Sequence, residues 1–296
     1  MASMKIEEWV TKTDLSSPIT GLAVLIFGRD DVSGAKAVGS GVFVADRLIM
    51  TVKHVIKEHW RFYGNPRVEL ERQGKKIAES GIFAVQVPGT DVEPALWAAR
   101  KISLCPYSDL ALMSVEPVDE LAKAQPPFGP LPLNILPPMT GEKIQAFGYA
   151  STSTVTEEGL QVKFHLNPSS TAGVVTEVYP ERRDSAMLSF PSFAIQAHFI
   201  GGMSGGPVIN AAGELSGLIC SGYDEAPIAY GVVLWPMTGI TIDHPIPGAI
   251  TQEPYTILEM ARAGLMNVAG RRHVEANVEA YEDLDGTKRV RLKAVT

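Results

Sequence analysis

Short apolar runs recur along the chain, separated by Gly, Pro, Asn or Asp, and most are alternating or rich in β-branched residues. This pattern is typical of antiparallel strands rather than amphipathic helices. It predicts strands at residues 21–27, 41–45, 48–52, 110–115, 143–148, 173–178, 207–210, 215–220 and 230–235. Strands of this length and turn spacing fit a sandwich or closed barrels. The pattern therefore predicts an all-β fold.

The C-terminal part of the chain departs from this pattern. Residues 253–265 predict a helix whose apolar stripe consists of Tyr255, Ile257, Leu258, Met260 and Ala261. Beyond it, apolar and polar positions alternate on both sides of Asp285-Gly286, which is a hairpin turn signal. A hairpin and a partly ordered tail fit this last segment equally well.

Prolines divide the β-rich chain into two halves. Seven of the 21 prolines lie between residues 117 and 138, and because proline lacks the N–H of a strand ladder, this stretch cannot be a central strand. We therefore expect an N-terminal segment (1–20), a first β unit (21–116), a linker (117–138), a second β unit with the helix (139–262) and a C-terminal extension (263–296).

Composition and charge narrow the function classes. The 296 residues are 45% hydrophobic and 20% charged, as in globular proteins, and the net charge of -7 comes without a basic cluster that could follow a phosphate backbone. We therefore expect no nucleic-acid partner.

The sequence also bears on where the protein is located. The acidic N-terminus lacks the pattern of a signal peptide, and no run approaches the ~20 apolar residues of a membrane span. Only two cysteines occur. These features predict a cytoplasmic protein that does not enter a membrane.

The sharpest chemical feature is the block Gly-Gly-Met-Ser-Gly-Gly-Pro-Val at residues 201–208. Its glycines allow tight turning and close approach of a substrate, so Ser204 could be an exposed nucleophile. A Gly-rich turn with an incidental serine is the equally weighted alternative.

A serine nucleophile needs a base, and the base needs an orienting carboxylate. The sequence offers His54 in Thr-Val-Lys-His-Val, after the strand-like run GSGVFV at residues 39–44, and Asp109 in SDLALM. Taken singly, His54 would be a structural histidine and Asp109 a turn residue at a strand start. Together with Ser204 they favour nucleophilic catalysis.

These three ordered blocks resemble the trypsin-like, chymotrypsin-fold serine peptidases, nearer the disulfide-poor bacterial branch than the digestive enzymes. The resemblance spans residues 20 to 262. It implies two six-stranded antiparallel β-barrels with the active site between them, a C-terminal helix and a short C-terminal extension. It also implies a serine endopeptidase that needs no cofactor or metal. His54 would be the base, Asp109 its orienting partner and Ser204 the nucleophile, with the backbone N–H groups of Gly202 and Ser204 as oxyanion hole.

The chain departs from the family at two positions. Met203 stands where digestive members have an acidic residue that pairs with a newly released N-terminus, so we expect the loop before Ser204 to be set by packing or by a partner. Cys220 stands where the family often has a serine that supports the catalytic aspartate, and a thiol is a weaker donor. We therefore expect a narrow substrate range, or activation by a regulatory protein that touches residues 263–296.

The resemblance also implies a specificity pocket. Its base would be His198, and its walls would come from Cys220, Ser221, Gly222 and Gly231. No carboxylate lies at the base, which disfavours a basic substrate residue there. The alternative is that His198 turns away as a core histidine. The remaining histidines lack the spacing of a zinc peptidase site.

Two other function classes stay open. The first is a peptidase-like module that binds a peptide or partner protein without cleaving it. The second is an α/β-hydrolase esterase, because residues 202–206 also match G-x-S-x-G. That class needs its acid and histidine after the serine, for example Asp224 or Asp243 with His244 or His273, and strands alternating with long helices.

Overall fold

The computed structural model describes residues 10–12, 19, 21–30, 34–63, 68–72, 75–79, 81–87, 93–125, 131–156, 162–223, 226–242, 254–270, 274, 277–282 and 288–293. The strands of the N-terminal half are β1 (Val10–Lys12), β2 (Ala23–Asp30), β3 (Gly34–Ala45), β4 (Leu48–Val52), β5 (Val68–Arg72), β6 (Lys75–Glu79), β7 (Ile82–Gln86), β8 (Ala95–Leu104) and β9 (Leu110–Pro117). The strands of the C-terminal half are β10 (Leu133–Asn134), β11 (Lys143–Tyr149), β12 (Ser153–Thr156), β13 (Val162–His165), β14 (Pro168–Tyr179), β15 (Ser192–Gln196), β16 (Pro207–Asn210), β17 (Leu215–Tyr223), β18 (Ala226–Val232), β19 (Thr241–Ile242), β20 (Tyr255–Thr256), β21 (Val268–Ala269), β22 (Val278–Glu282) and β23 (Lys288–Leu292). The helices are α1 (Lys53–Tyr63), α2 (Glu120–Ala124), α3 (Ile257–Arg262) and a 3-10 helix (Trp235–Gly239).

Two closed antiparallel barrels form the molecule, as predicted. The first runs in the order β2-β3-β4-β9-β8-β7 and closes through the pairing of β7 with β2. The second runs β11-β14-β15-β18-β17-β16 and closes through the pairing of β16 with β11. β1, β10 and β21 extend this second sheet. Because the fold is a pair of barrels and not a layered α/β sheet, the α/β-hydrolase alternative is wrong.

The apolar core is continuous across the two barrels. β4 is buried along its whole length, and so are the first six residues of β9, although side chains alternate between the two faces of a strand. β4 contacts β17 of the second barrel, so its outer face is covered as well as its inner one. This burial explains why both strands are continuous apolar runs, and it places the ends of these strands at the barrel interface.

Two predicted elements need correction. The strand expected at residues 230–235 ends at Val232, because Pro236 lies in the first turn of the 3-10 helix that begins at Trp235. The helix expected at residues 253–265 begins only at Ile257 and ends at Arg262. Thr256 caps it by accepting from the Glu259 N–H while the Glu259 carboxylate accepts from the Thr256 N–H, a capping box that sets the first turn. Residue 253 lies outside the described residues.

Helix α1 is an element that the strand pattern did not predict. It starts immediately after β4 and buries Val55, Ile56 and His59, which have the i, i+1, i+4 spacing of a helical face. Near the C-terminus, β22 and β23 pair as an antiparallel hairpin, with Val278 opposite Leu292. The turn at Asp285-Gly286 lies outside the described residues.

Residues 117–138 contain α2 and β10 as well as irregular chain. Asp119 caps α2 by accepting from the Ala122 N–H, and Leu133 pairs in parallel with Leu215 of β17. No helix in the described ranges is long and apolar enough to cross a membrane.

Candidate active site

Asp109 is held at the start of β9 by the first turn of α1. Its Oδ1 accepts from the His54 backbone N–H at 3.0 Å, and its Oδ2 lies 2.6 Å from His54 Nδ1. The Lys53 N–H also donates to the Asp109 carbonyl oxygen at 2.9 Å. Because a carboxylate can only accept, the contact with Nδ1 leaves His54 Nε2 as the free ring nitrogen. The imidazole is thus oriented with Nε2 available as a base.

Cys220 contacts the same carboxylate from the second barrel. Its Sγ lies 3.5 Å from Asp109 Oδ2, and its side chain is buried. Burial raises the pKa of this thiol well above its ordinary value of 9.0, and the Asp109 carboxylate raises it further. The thiol therefore remains protonated at neutral pH and donates to Asp109. The Cys220 thiol, the weaker donor expected from the sequence, thus contacts Asp109 as the resemblance implied.

The ligand atoms of His54, Asp109 and Cys220 lie within 4.8 Å of one another, which is also the spacing of a metal site. A metal would need the thiolate form of Cys220 and would have to replace the short contact between His54 and Asp109. The raised pKa of Cys220 opposes that form. The donor chemistry fits a hydrogen-bonded carboxylate better than a metal centre.

Lys53 places a cation beside this carboxylate. Its Nζ donates to the Cys105 carbonyl oxygen at 2.7 Å, in the loop that leads to Asp109. Burial lowers the pKa of Lys53, and the Asp109 carboxylate partly opposes that effect. This contact ties the start of α1 to the Asp109 loop.

Ser204 lies opposite His54 in a cleft of about 390 Å³ between the barrels. Both side chains line the cleft, together with Gly202, Glu58, Tyr149 and Ser151. The Ser204 hydroxyl points to the Cys220 carbonyl oxygen, 3.5 Å away. Ser204 and His54 therefore line the same cavity.

Met203 is fully buried beside the Ser204 turn. A side chain on Gly148 would come within 2.7 Å of the Met203 Cα, so β11 packs directly on the loop. Apolar packing therefore holds the loop before Ser204, as expected from Met203 in the sequence.

The specificity pocket expected from His198, Cys220, Ser221, Gly222 and Gly231 stays a prediction. None of His198, Ser221, Gly222 and Gly231 lines the cleft that holds His54 and Ser204. His198 is buried, and Gly231 faces the Phe193 ring, where a Cβ would approach within 2.3 Å. Cys220 contacts Asp109 and is also buried.

The chain also matches a known protein family. The family model of the trypsin-like peptidase domain matches residues 39–218, more than half of the chain. The chain belongs to this family. Membership of this family supports a peptidase function for the chain. No curated protein matches it.

Solved structures similar to this trypsin-like peptidase include the active form of the Rv3671c protease from M. tuberculosis. That structure is 18% identical, covers 79% of this chain and 83% of its own, and has a TM-score of 0.48. The inactive form of the same protease is 17% identical, covers 73% and 84%, and has a TM-score of 0.45.

Sequence reasoning missed two residues around the cleft of this peptidase. Ser40 belongs to the GSGVFV block, but its hydrogen bonds to a loop 162 residues away are visible only in the fold. Ser151 has a positive φ of 46°, and no sequence pattern marks it. Both donate hydrogen bonds to the Ser204 loop.

Proposed function

We propose that the protein is a serine endopeptidase that cleaves peptide bonds through an acyl-enzyme intermediate on Ser204. The observation that carries this proposal is the pairing of His54 with Asp109 at 2.6 Å in a cleft that Ser204 also lines. Rotation of the Ser204 side chain away from the Cys220 carbonyl would direct its hydroxyl into the shared cleft, towards His54 Nε2.

In this mechanism His54 removes the Ser204 proton as the oxygen attacks the peptide carbonyl, and then gives the proton to the leaving amine. Asp109 keeps the imidazole in the required tautomer and stabilises its protonated form. The N–H groups of Gly202 and Ser204 would bind the oxyanion, a contribution typically of ~3 to 4 kcal/mol per donor. Water then hydrolyses the acyl-enzyme by the same proton relay.

We infer a narrow range of protein or peptide substrates, with selection in the described cleft, where Glu58 is an exposed carboxylate. A regulatory protein partner at residues 263–296 is part of the same proposal. We further propose a cytoplasmic location, which the two free, buried cysteines support.

One observation favours a second candidate, a module that binds peptides without cleaving them. Among the described residues, the Ser204 hydroxyl is directed at the Cys220 carbonyl oxygen, 3.5 Å away, and makes no hydrogen bond to His54. A site of this kind would bind a peptide in the cleft and leave it intact.

Labelling with a fluorophosphonate probe distinguishes the two candidates. We expect one adduct on the wild-type protein and none on Ser204→Ala or His54→Ala, as measured by intact mass. Ser216→Ala is the matched control, since Ser216 is a buried serine of β17 whose hydroxyl donates to the Val208 carbonyl. An unlabelled wild type that still binds peptides would favour the non-cleaving module.

A further inference from the structure

Ser40 is a fully buried serine of the first barrel whose polar groups are all engaged. Its Oγ donates to the Gly202 carbonyl oxygen at 2.8 Å and accepts from the Tyr149 N–H at 2.9 Å. Its own N–H donates to the Ser204 carbonyl oxygen at 2.7 Å, and its carbonyl oxygen accepts from Thr51 Oγ1. Two of these bonds cross from the first barrel to the loop that carries Ser204.

The carbonyl groups of that loop are held one after another. Ser151 N–H donates to the Gly201 oxygen at 2.7 Å, and Gly206 N–H donates to the Met203 oxygen at 2.9 Å. The Gly202 and Ser204 oxygens take the two bonds from Ser40. Every carbonyl from residue 201 to 204 therefore has a defined direction.

This arrangement determines where the loop N–H groups point. In a trans peptide the N–H lies opposite the preceding carbonyl, and the described residues contain no cis peptide. The Gly202 N–H thus points away from Ser151, and the Ser204 N–H points away from Gly206. Within the part of the chain that the structure describes, neither N–H has a hydrogen-bond partner. Backbone N–H groups are rarely left without a partner, so these two are available to an anionic oxygen.

Glycine alone would not maintain this conformation. Gly202 has a φ of +93°, and glycine moves between positive and negative φ at little cost, so the adjoining peptide planes could turn. The Ser40 hydroxyl holds the carbonyl side of the peptide plane between Gly202 and Met203, and the Met203 N–H holds the other side by donating to the Ile200 carbonyl oxygen at 3.1 Å. The Ser40 hydroxyl also satisfies the Tyr149 N–H on β11, which packs against the same loop.

We propose that Ser40 is a positioning residue that sets the oxyanion-hole conformation of the Ser204 loop from the first barrel. This inference rests on the proposed peptidase function. Ser40 touches neither substrate nor reacting atoms, and acts through the Gly202 carbonyl and the Tyr149 N–H. The loop would be held in its active conformation within the folded chain, without a released N-terminus.

Ser40→Ala tests the proposal, because it removes the hydroxyl and keeps the main-chain bond to Ser204. We expect kcat to fall about 10- to 100-fold while KM changes less than about threefold, since the loss concerns the transition state. Affinity for a peptide boronic acid, which forms a tetrahedral adduct on the serine, should fall by the same factor. Affinity for the amine product, which places no anionic oxygen at the loop, should stay unchanged.

Ser216→Ala is again the matched control, because it also removes a buried hydroxyl that donates to a backbone carbonyl. Hydrogen exchange of the segment 199–206 gives a readout independent of activity, and we expect faster exchange in Ser40→Ala than in Ser216→Ala. Equal exchange in the two variants, or equal kcat, would overturn the role of Ser40. A wild-type protein that neither cleaves peptides nor reacts with the fluorophosphonate would instead overturn the proposed function, and exchange would still show whether Ser40 holds the loop.

Discussion

Three donors converge on the buried carboxylate of Asp109. Two come from His54 and one from the Cys220 thiol, and the thiol contact is the longest at 3.5 Å. Sulfur is a weak donor, so this third bond stabilises the carboxylate less than a hydroxyl would. The side chain at position 220 is therefore a point at which activity can be adjusted.

We expect Cys220→Ser to raise kcat/KM about two- to fivefold and Cys220→Ala to lower it up to about tenfold. A hydroxyl is the stronger donor to a carboxylate, and a difference of about 0.5–1 kcal/mol corresponds to the expected gain. Steady-state kinetics on one peptide substrate measure both values.

Cys105→Ala is the matched control for this pair, since Cys105 is the other free, buried cysteine and its Sγ contacts the Pro236 carbonyl oxygen instead. Its kcat/KM should stay within about twofold of the wild-type value. If Cys220→Ala is as active as Cys105→Ala, the thiol does not support Asp109.

At the scale of elements, the loop that carries Ser204 depends on close backbone contacts. A Cβ on Gly205 would lie 2.2 Å from the Ser40 oxygen, and one on Gly202 would lie 2.6 Å from the Tyr149 oxygen. Both glycines also have positive φ, a conformation in which other residues are strained. The motif glycines thus allow the loop to pack against both barrels.

We expect Gly202→Ala to lower kcat/KM at least about 100-fold, because the methyl group would displace the loop and its N–H groups. Gly213→Ala isolates the effect of backbone strain, since Gly213 has a φ of +78° but an added Cβ meets nothing within 4 Å. That variant should lose about 1 kcal/mol of stability and keep its kcat/KM. A folded Gly202→Ala that retains more than a tenth of wild-type kcat/KM would contradict the assignment.

At the scale of the whole molecule, the C-terminal extension divides into a packed part and an outer hairpin. Met266 and Val274 are buried, and β21 pairs in parallel with β10, with Val268 opposite Leu133. In the hairpin of β22 and β23, Val278 is exposed, and Leu292 opposite it is only partly buried against the core. Residues up to 274 therefore belong to the folded core.

We expect removal of residues 265–296 to lower the free energy of unfolding by at least about 3 kcal/mol, since each buried apolar side chain contributes ~1.5–3 kcal/mol. Removal of residues 278–296 should cost less than about 1 kcal/mol, as measured by urea denaturation. If the shorter deletion also leaves rate and substrate range unchanged, the hairpin has no part in regulation.

The sequence predicted the bounds of short apolar strands better than the bounds of the helices. The strands at residues 48–52 and 207–210 were predicted with their bounds, because each is a short apolar run between turn signals. Helix α1 was missed, because a strand-like run precedes it directly. The start of α3 was placed too early, because periodicity does not mark a cap, although Thr256 and Glu259 have the spacing of a capping box.

Sequence alone was enough to predict the all-β class, the resemblance to trypsin-like peptidases, and the three candidate residues His54, Asp109 and Ser204. Periodicity and motif chemistry are contained in short segments, so they can be recognised without the fold. The fold was needed to show that the Cys220 thiol reaches Asp109, that His198 is buried, and that Ser40 donates to the Gly202 carbonyl oxygen. These features depend on contacts between residues far apart in the chain, 162 positions in the case of Ser40 and Gly202, and such contacts form only when the two barrels pack together.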